Sequence, residues 1–249
     1  PNGSIHVDGR IDPAWLSIPM DTRFVQRQPK EGDPPSQRTG FRVAYDDHML
    51  YVLVRAYDRE PDRITARLAR RDNMQVPTDF VAILIDSYFD RNTAFVFGVS
   101  PSGAKLDMHM SQNGFEEDVG WDAVWYSGTA IDDSGWVAEF GIPFSQLRYP
   151  TKTEQQWGFN VIRRINRENE EIHWNLIPQN AGGGVSFFGI LRGLRNLPKK
   201  HGLEVMPYAR TSSNLPYREA GNPFRASPMY DGTVGLDMRY PIGSNLSLN

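Results

Sequence analysis

The chain is a succession of short apolar runs separated by Gly, Pro, Asn and Asp, with almost no helical repeat. Phe41, Val43 and Tyr45 occupy every second position, which is the period of a half-buried strand. Residues 80–85 are continuously apolar, as in a central strand that is covered on both faces. Many short strands with little helix between them predict an all-β fold, an antiparallel β-sandwich of the immunoglobulin or jelly-roll kind.

The pattern changes near residue 197, so we predict a sandwich domain over residues 1–197 and a C-terminal β segment over 198–249. In that segment Val234 and Leu236 begin an apolar row that Met238 and Tyr240 continue, between polar neighbours. One apolar and one polar face are typical of a strand of an outer-membrane barrel, and a soluble hairpin has the same pattern. We therefore expect either the first strands of a β-barrel or a β-hairpin, in a sequence that is part of a longer protein.

Composition excludes several classes of function. The 27 basic and 30 acidic residues give a net charge of −3 without a basic block, so nucleic acid is not an expected partner. The absence of cysteine excludes disulfides, thiolate metal sites and cysteine nucleophiles. No stretch approaches the roughly 18 apolar residues of a transmembrane helix. Pro1 stands where an initiating methionine would stand, and we expect that an N-terminal segment was removed.

Four stretches carry a resemblance to a known family. They are residues 7–15 (VDGRIDPAW), 41–52 (FRVAYDDHMLYV), 79–86 (DFVAILID) and 135–143 (GWVAEFGIP). In this order and spacing they resemble carbohydrate-binding module family 9, over residues 5–195. The resemblance implies a β-sandwich.

A narrower resemblance is to a group of Gram-negative outer-membrane proteins of unassigned function, in which such a domain precedes a predicted barrel. Residues 70–72, 121–125, 142–149 and 235–240 carry it. The resemblance implies an exported protein, located in the outer membrane or periplasm. It also implies two partners, the chain's own C-terminal barrel and, through that barrel, the outer membrane.

The family resemblance implies structural calcium and, in characterised members, a sugar held between two tryptophans. This sequence departs from that pattern at three places. Ala82 stands where the family's sugar binders have a glutamate, residues 74–78 contain no aromatic side chain, and the glycine-rich Ala181, Gly182, Gly183 and Gly184 replace the second tryptophan. We therefore expect weak or no binding of simple mono- and disaccharides.

Three tryptophans and two aspartates are the candidate site residues. Trp121, Trp125 and Trp174 are candidates for ligand binding because indole faces stack on sugar rings; the alternative is that they fill the core. Asp86 and Asp90 bracket the end of a predicted strand and would supply part of the roughly six to eight oxygens that calcium needs. The alternative for both aspartates is ordinary turn chemistry.

These observations favour a non-catalytic binding or accessory domain of a cell-envelope protein, with a glycan as the ligand class that the resemblance implies. One alternative is a structural or gating module that packs on its own outer-membrane barrel. Another is a glycoside-processing enzyme domain, in which Glu139 and a second carboxylate would form the acid pair. The sequence contains neither the zinc-hydrolase motif H-E-x-x-H nor the serine-hydrolase motif G-x-S-x-G.

Overall fold

The computed structural model of the chain describes residues 3–73, 75–198, 204–214, 229–242 and 246–248. The chain divides into two compact units, Pro1–Pro198 and Lys199–Asn249. The predicted C-terminal segment therefore falls partly outside the described residues. Within those ranges, no helix has the length and apolar character needed to cross a membrane.

The first unit is built from two antiparallel sheets, with strands numbered here in chain order. The larger sheet contains β1 (Val25–Gln28), β4 (Phe80–Asp86), β5 (Ala94–Val99), β6 (Lys105–Ser111), β7 (Glu116–Asp118), β10 (Glu154–Ile165), β11 (Glu170–His173) and β12 (Gly189–Arg195). Its order is β1-β11-β10-β4-β5-β6-β7, and β12 also pairs with β10. The smaller sheet contains β2 (Thr39–Tyr45), β3 (Met49–Tyr57), β8 (Tyr126–Asp132) and β9 (Gly135–Pro143), in the order β2-β3-β9-β8. The predicted antiparallel β-sandwich is confirmed.

Helix is confined to single turns. Among the described residues the one α-helix, α1, spans Pro13–Leu16, where the missing N–H of Pro13 suits the first helical position. Residues 64–70, between two strands, do not form a helix. The Thr65 carbonyl instead accepts hydrogen bonds from the Asp79 N–H (2.9 Å) and the Thr78 hydroxyl (2.7 Å), which holds this segment extended. The 3-10 helices described are Pro61–Arg63, Gln112–Gly114, Phe144–Gln146, Asn166–Glu168 and Val185–Phe187.

The main core lies between the two sheets. Val81, Ile83 and Ile85 of β4 are completely buried and point towards the smaller sheet, because successive strand residues face opposite sides. β4 pairs with β10 on one side and β5 on the other, so the prediction that residues 80–85 form a central strand is confirmed. Burying each of these side chains contributes about 1.5–3 kcal/mol.

The outer face of the smaller sheet is covered by the N-terminal segment. The indole of Trp15 is fully buried there in a cluster with Leu53 and Val137. The buried carboxylate of Glu139 on β9 anchors this cover. It accepts hydrogen bonds from the Gly9 N–H (2.8 Å), the Trp15 indole N–H (2.9 Å) and the Asp8 N–H (3.1 Å).

The outer face of the larger sheet is covered only in part. Its apolar side chains form a second cluster in which Ala82 and Leu84 of β4 are joined by Val96, Leu106 and Met108. The segment of residues 174–188 brings Val185 and Phe188 onto this cluster. The remaining part of the face forms an open groove.

The second unit is a three-stranded antiparallel sheet. Its strands β13 (Glu204–Asn214), β14 (Met229–Ile242) and β15 (Leu246–Leu248) lie in that order. Pro207 pairs with Leu236 and Ala209 pairs with Val234, so the side chains of these four residues share one face of the sheet. On that face the side chain of Val234 is 83% exposed and that of Leu236 is 53% exposed. Of the predicted apolar row, Val234 and Leu236 therefore lie on one face of the ladder, while the side chains of Met238 and Tyr240 lie outside the described ones.

Candidate functional site

The groove on the outer face of the larger sheet has a volume of about 270 Å³. Its floor is apolar, because Ala82, Val96 and Leu106 from three adjacent strands point outwards there. Ala82 has the smallest of these side chains, so the groove is deeper at this position than a longer side chain would allow. Val76 and Thr78, from the segment that leads into β4, form part of the wall.

Phe80 supplies an aromatic ring to the groove. A methyl group placed on Gly98 of the neighbouring strand would lie 2.0 Å from the Cζ atom of Phe80, so the ring lies directly over the glycine. Any larger residue at position 98 would push the ring off the sheet. The half-buried Phe80 thus forms part of a low aromatic surface that borders open space.

Charged side chains surround this apolar floor. Arg164 lies directly across the ladder from Phe80 and therefore on the same face of the sheet. Arg70 is the other cation of the groove, and Glu117 and Glu171 are its carboxylates; Lys105 also borders the groove, but its ammonium group is bonded to the Trp125 carbonyl oxygen on the other side of the sheet. The groove combines an apolar, partly aromatic floor with a polar rim, which is the usual construction of a small-molecule site.

Glu171 is engaged by neighbours outside the groove. Its carboxylate lies 2.8 Å from the His173 Nε2 atom and accepts a hydrogen bond from Arg27 at 3.1 Å. Burial acts to raise the pKa of Glu171, but the contact with His173 and the charge of Arg27 outweigh it, so the pKa is lowered. Glu171 is therefore held as a carboxylate.

A buried ionic contact fixes the wall segment that carries Arg70. The carboxylate of Asp107 on β6 is fully buried and accepts hydrogen bonds from Arg71 (2.8 Å) and the Ala123 N–H (2.6 Å). The Asp72 carboxylate accepts a hydrogen bond from the Asp107 N–H at 3.0 Å. Residues 70–72 and 121–125, noted in the sequence as motifs, thus meet at Asp107.

The three candidate tryptophans lie on the other side of the larger sheet, and none lines the groove. The ring of Trp125 is buried and stacks on Phe140, with 5.7 Å between centroids, so it has no free face for a sugar. Trp121 is half-buried and lies 5.1 Å from Phe95, between ring centroids.

Trp174 is also half-buried against the main core, 5.2 Å from the ring of Phe41. It borders a separate open recess together with Arg23 and Arg91. The structure therefore does not bring the three indoles together as one platform, and ligand binding by any of them stays a prediction.

The two candidate calcium ligands act as turn caps. The Asp86 carboxylate accepts hydrogen bonds from the N–H groups of Asp90 (3.1 Å) and Arg91 (2.9 Å), and burial raises its pKa. The Asp90 carboxylate accepts hydrogen bonds from the N–H groups of Asn92 (2.8 Å) and Thr93 (2.7 Å).

These hydrogen bonds are those of ordinary turn chemistry. A calcium shell needs about six to eight oxygens, of which the pair would supply only a part, so calcium binding by Asp86 and Asp90 stays a prediction. Within the described ranges, no group of three or more His, Cys, Asp or Glu side chains could hold a metal ion. Structural calcium stays a prediction from the resemblance.

Glu139, the carboxylate considered for glycoside chemistry, lies on the outer face of the smaller sheet. Its three hydrogen-bond donors are all contributed by the N-terminal segment. Burial is the main cause of its raised pKa. The residue is enclosed by protein, and its observed contacts are those of an anchor for the N-terminal cover.

The sequence interpretation missed Phe80 and Arg164 as groove residues. Phe80 was included in a run of core residues, although it is the first residue of β4 and faces outwards. The available signal was Gly98, a glycine inside a strand, which marks a place where something approaches the backbone closely.

Comparison with known proteins agrees with this architecture. The model of the carbohydrate family 9 binding domain-like family matches residues 7–190. A family 9 carbohydrate-binding module from Caldicellulosiruptor kristjanssonii, solved in complex with glucose, is similar with a TM-score of 0.56 and 19% sequence identity, and the match covers 80% of this chain and 96% of that one. The same module in complex with cellotriose gives a TM-score of 0.56 and 20% identity, over 80% and 96% of the two chains.

A third similar structure is a putative carbohydrate-binding protein from Bacteroides uniformis. It has a TM-score of 0.55 and 12% identity, over 71% of this chain and 87% of that one. A search of curated protein sequences found no match. The fold is a β-sandwich like that of these carbohydrate-binding modules. The chain belongs to the carbohydrate family 9 binding domain-like family.

Proposed function

We propose that the first unit is a non-catalytic carbohydrate-binding domain whose saccharide lies in the groove over Phe80. The observation that carries the proposal is the aromatic ring over Gly98, at the edge of an apolar groove on the outer sheet face. Family membership supports the ligand class. The volume of about 270 Å³ lies just below the roughly 300–1,000 Å³ of sites for drug-sized molecules, which suits a short saccharide segment.

The test is a glycan array followed by titration calorimetry, with variants that act on the ring. We expect Phe80→Ala to weaken binding about tenfold or more, which corresponds to about 1.4 kcal/mol. Gly98→Ala should weaken it comparably, because the added methyl group displaces the ring without removing it. Phe187→Ala is the matched control, because Phe187 is 39% exposed and does not line the groove.

Each variant is first checked by thermal unfolding, so that lost binding is not confused with lost folding. If both groove variants fold and bind the glycan as tightly as the parent protein, the saccharide does not lie over Phe80. If Phe187→Ala reduces binding as much as Phe80→Ala, the site lies elsewhere on the domain.

The glycoside-processing alternative has its own test. A glycosidase needs one protonated carboxylic acid beside an ionised one, and Glu171, whose pKa is lowered, could be only the ionised member of such a pair. We expect no new reducing ends when the protein is incubated with a glycan that it binds. Turnover that Glu171→Gln abolishes would favour the glycoside-processing alternative.

We also propose that the protein is exported to the cell envelope and that the second unit belongs to an outer-membrane barrel. The exposed apolar face of β14 supports this, since Tyr230 is 77% exposed on the same face as Val234. β13 has 11 residues and β14 has 14, and a membrane-spanning strand needs about 9–11. Recovery of the native protein only in the soluble fraction of the source cells would contradict the proposal.

A further inference from the structure

The positively charged side chains of the groove lack the ion-pair partners that its carboxylate Glu171 has. Within the described part of the chain, no carboxylate lies within ion-pairing distance of the guanidinium groups of Arg70 and Arg164, and neither group has a hydrogen-bond partner. Both side chains are exposed at the rim of the same groove. The groove therefore presents two cations that the protein itself does not pair.

The carboxylate best placed to neutralise Arg164 is directed elsewhere. Glu171 lies opposite Arg164 across the β10–β11 ladder, yet its oxygen contacts Arg27 at 3.1 Å and His173 at 2.8 Å. Since Arg27 already balances its charge, Glu171 adds little negative potential to the groove. Glu117 is then the single carboxylate of the groove that faces its cations without another described partner.

Lys105 does not add its charge to the groove. It pairs with the core residue Val99, and its ammonium group lies on the other side of the sheet, where it donates a hydrogen bond to the Trp125 carbonyl oxygen at 2.8 Å and lies 4.7 Å from the centroid of the Trp125 ring. Burial, and secondarily the charge of Arg71, lower the pKa of Lys105. Two cations, Arg70 and Arg164, thus stand against one carboxylate, Glu117, that has no other described partner at the rim of an apolar floor.

A neutral sugar would gain little from these cations, because their charge would remain solvated. A carboxylate can accept two parallel hydrogen bonds from a guanidinium, and such charged hydrogen bonds are roughly twice as strong as neutral ones. The aromatic ring of Phe80 contacts the apolar face of a sugar, while the arginines contact its substituents. The same groove therefore favours a sugar that carries a carboxylate.

We propose that the groove binds an acidic saccharide, a chain that contains uronic acid residues, with Arg70 and Arg164 on the carboxylate and Phe80 under the ring. This inference rests on the proposed carbohydrate-binding function and specifies its ligand class. The arginines determine selectivity for charge, and the ring determines affinity for saccharides in general.

The test is titration calorimetry of the purified chain with trimers of galacturonic, glucuronic and mannuronic acid. The reference ligands are the same trimers with their carboxylates reduced to alcohols. We expect at least one acidic trimer to bind at least tenfold more tightly than its reduced form. We also expect this preference to shrink as salt rises from 0.05 to 0.5 M, since salt screens exposed charges.

Variants separate selectivity from affinity. The double variant Arg70→Gln/Arg164→Gln should bring the acidic-to-neutral affinity ratio close to one. Arg192→Gln is the matched control, because Arg192 is an exposed arginine of β12 that does not line the groove. Phe80→Ala should weaken the acidic and reduced trimers by a similar factor.

Equal binding of acidic and reduced trimers overturns this inference and leaves the proposed function intact. If neither the acidic nor the reduced trimers bind in a way that the groove substitutions weaken, both this inference and the proposed function are overturned. Inorganic phosphate is the remaining probe, used as a competitor of the acidic trimer. If phosphate at the same concentration displaces the trimer fully, and Phe80→Ala leaves the affinity for the trimer unchanged, the groove binds anions without recognising a sugar. That result overturns the inference.

Discussion

The two outer faces of the sandwich are covered in different ways. On the smaller sheet, the N-terminal segment encloses Trp15 completely and satisfies the buried Glu139 with three N–H donors. On the larger sheet, residues 174–188 cover part of the apolar cluster and leave the groove beside Phe80 open, and Arg70 and Arg164 have no ion-pair partner among the residues that the structure describes.

The difference teaches which charges stabilise the fold and which are available to a ligand. A buried carboxylate without partners would be destabilising, so Glu139 is found where the chain supplies its donors. Arg70 and Arg164 remain at the solvent boundary, where leaving them unpaired costs the protein little. Substitutions should therefore affect stability on one face and binding on the other.

The largest effect is expected for Trp15→Ala. Removing a fully buried indole leaves a cavity, and we expect a loss of about 3–5 kcal/mol in the free energy of unfolding. Denaturant unfolding measures it. The neighbouring Leu16 is 69% exposed, so Leu16→Ala should change stability by no more than about 0.5 kcal/mol. Equal effects of the two substitutions would mean that the N-terminal segment does not seal this face.

A smaller effect, with a pH signature, is expected for Glu139→Gln. The amide presents N–H groups to donors that need an acceptor, which should cost about 1–3 kcal/mol at neutral pH. Glu117→Gln, at an exposed carboxylate, is the control.

In the parent protein, burial raises the folded-state pKa of Glu139 above its ordinary value of 4.5. Folding therefore favours the protonated form, and this contribution to stability is present at low pH and is lost as the pH rises from 4.5 through the raised pKa. Glutamine does not titrate, so the difference in unfolding free energy between parent and variant should change over that window. A constant difference from pH 4 to 8 would contradict the assignment.

The cover of the larger sheet should depend on Asn113. Its side chain accepts a hydrogen bond from the Ser186 N–H (2.8 Å) and donates one to the Gly182 carbonyl oxygen (3.2 Å). Asn113→Gly keeps the positive φ of 60° accessible and removes both bonds, so we expect a loss of about 1 kcal/mol. Amide hydrogen exchange should also become faster at residues 182–187.

Asn196→Gly is the control for that substitution. Asn196 also has a positive φ, of 53°, and its side chain makes no hydrogen bond within the described residues. If both variants accelerate exchange at residues 182–187 equally, the Asn113 side chain does not hold the cover.

The smallest stability effect is expected for Arg70→Gln and Arg164→Gln. Because neither guanidinium is paired, each substitution should change the free energy of unfolding by no more than about 0.5 kcal/mol. Denaturant titration of the same preparations used for binding would check this. A loss above 1 kcal/mol would show that these arginines stabilise the sheet.

The architecture of the first unit was predictable because its signals are local. The continuous apolar run of β4 and the alternation in β2 and β9 each specify a strand and its buried face. Pro13 after Asp12 is a local signal for the start of α1. Trp136 and Trp157 lie in alternating strand sequences and are fully buried.

The site was not predictable in the same way. A tryptophan beside a glycine or a histidine carries no information about which side of a sheet it will face after the chain has folded. Trp121 and Trp174 are half-buried against the core between the sheets, while the first residue of β4 supplies the aromatic ring of the groove.

The sequence by itself determined the strands, their buried faces and the family, because side-chain alternation and motif order are properties of the chain alone. Only the tertiary structure decided which charges are paired. Glu171 and Arg164 are neighbours on adjacent strands, yet Arg27, about 140 residues away in the chain, contacts the carboxylate and leaves the arginine free. Contacts over such distances depend on how the segments meet in three dimensions, and these contacts give the groove its charge.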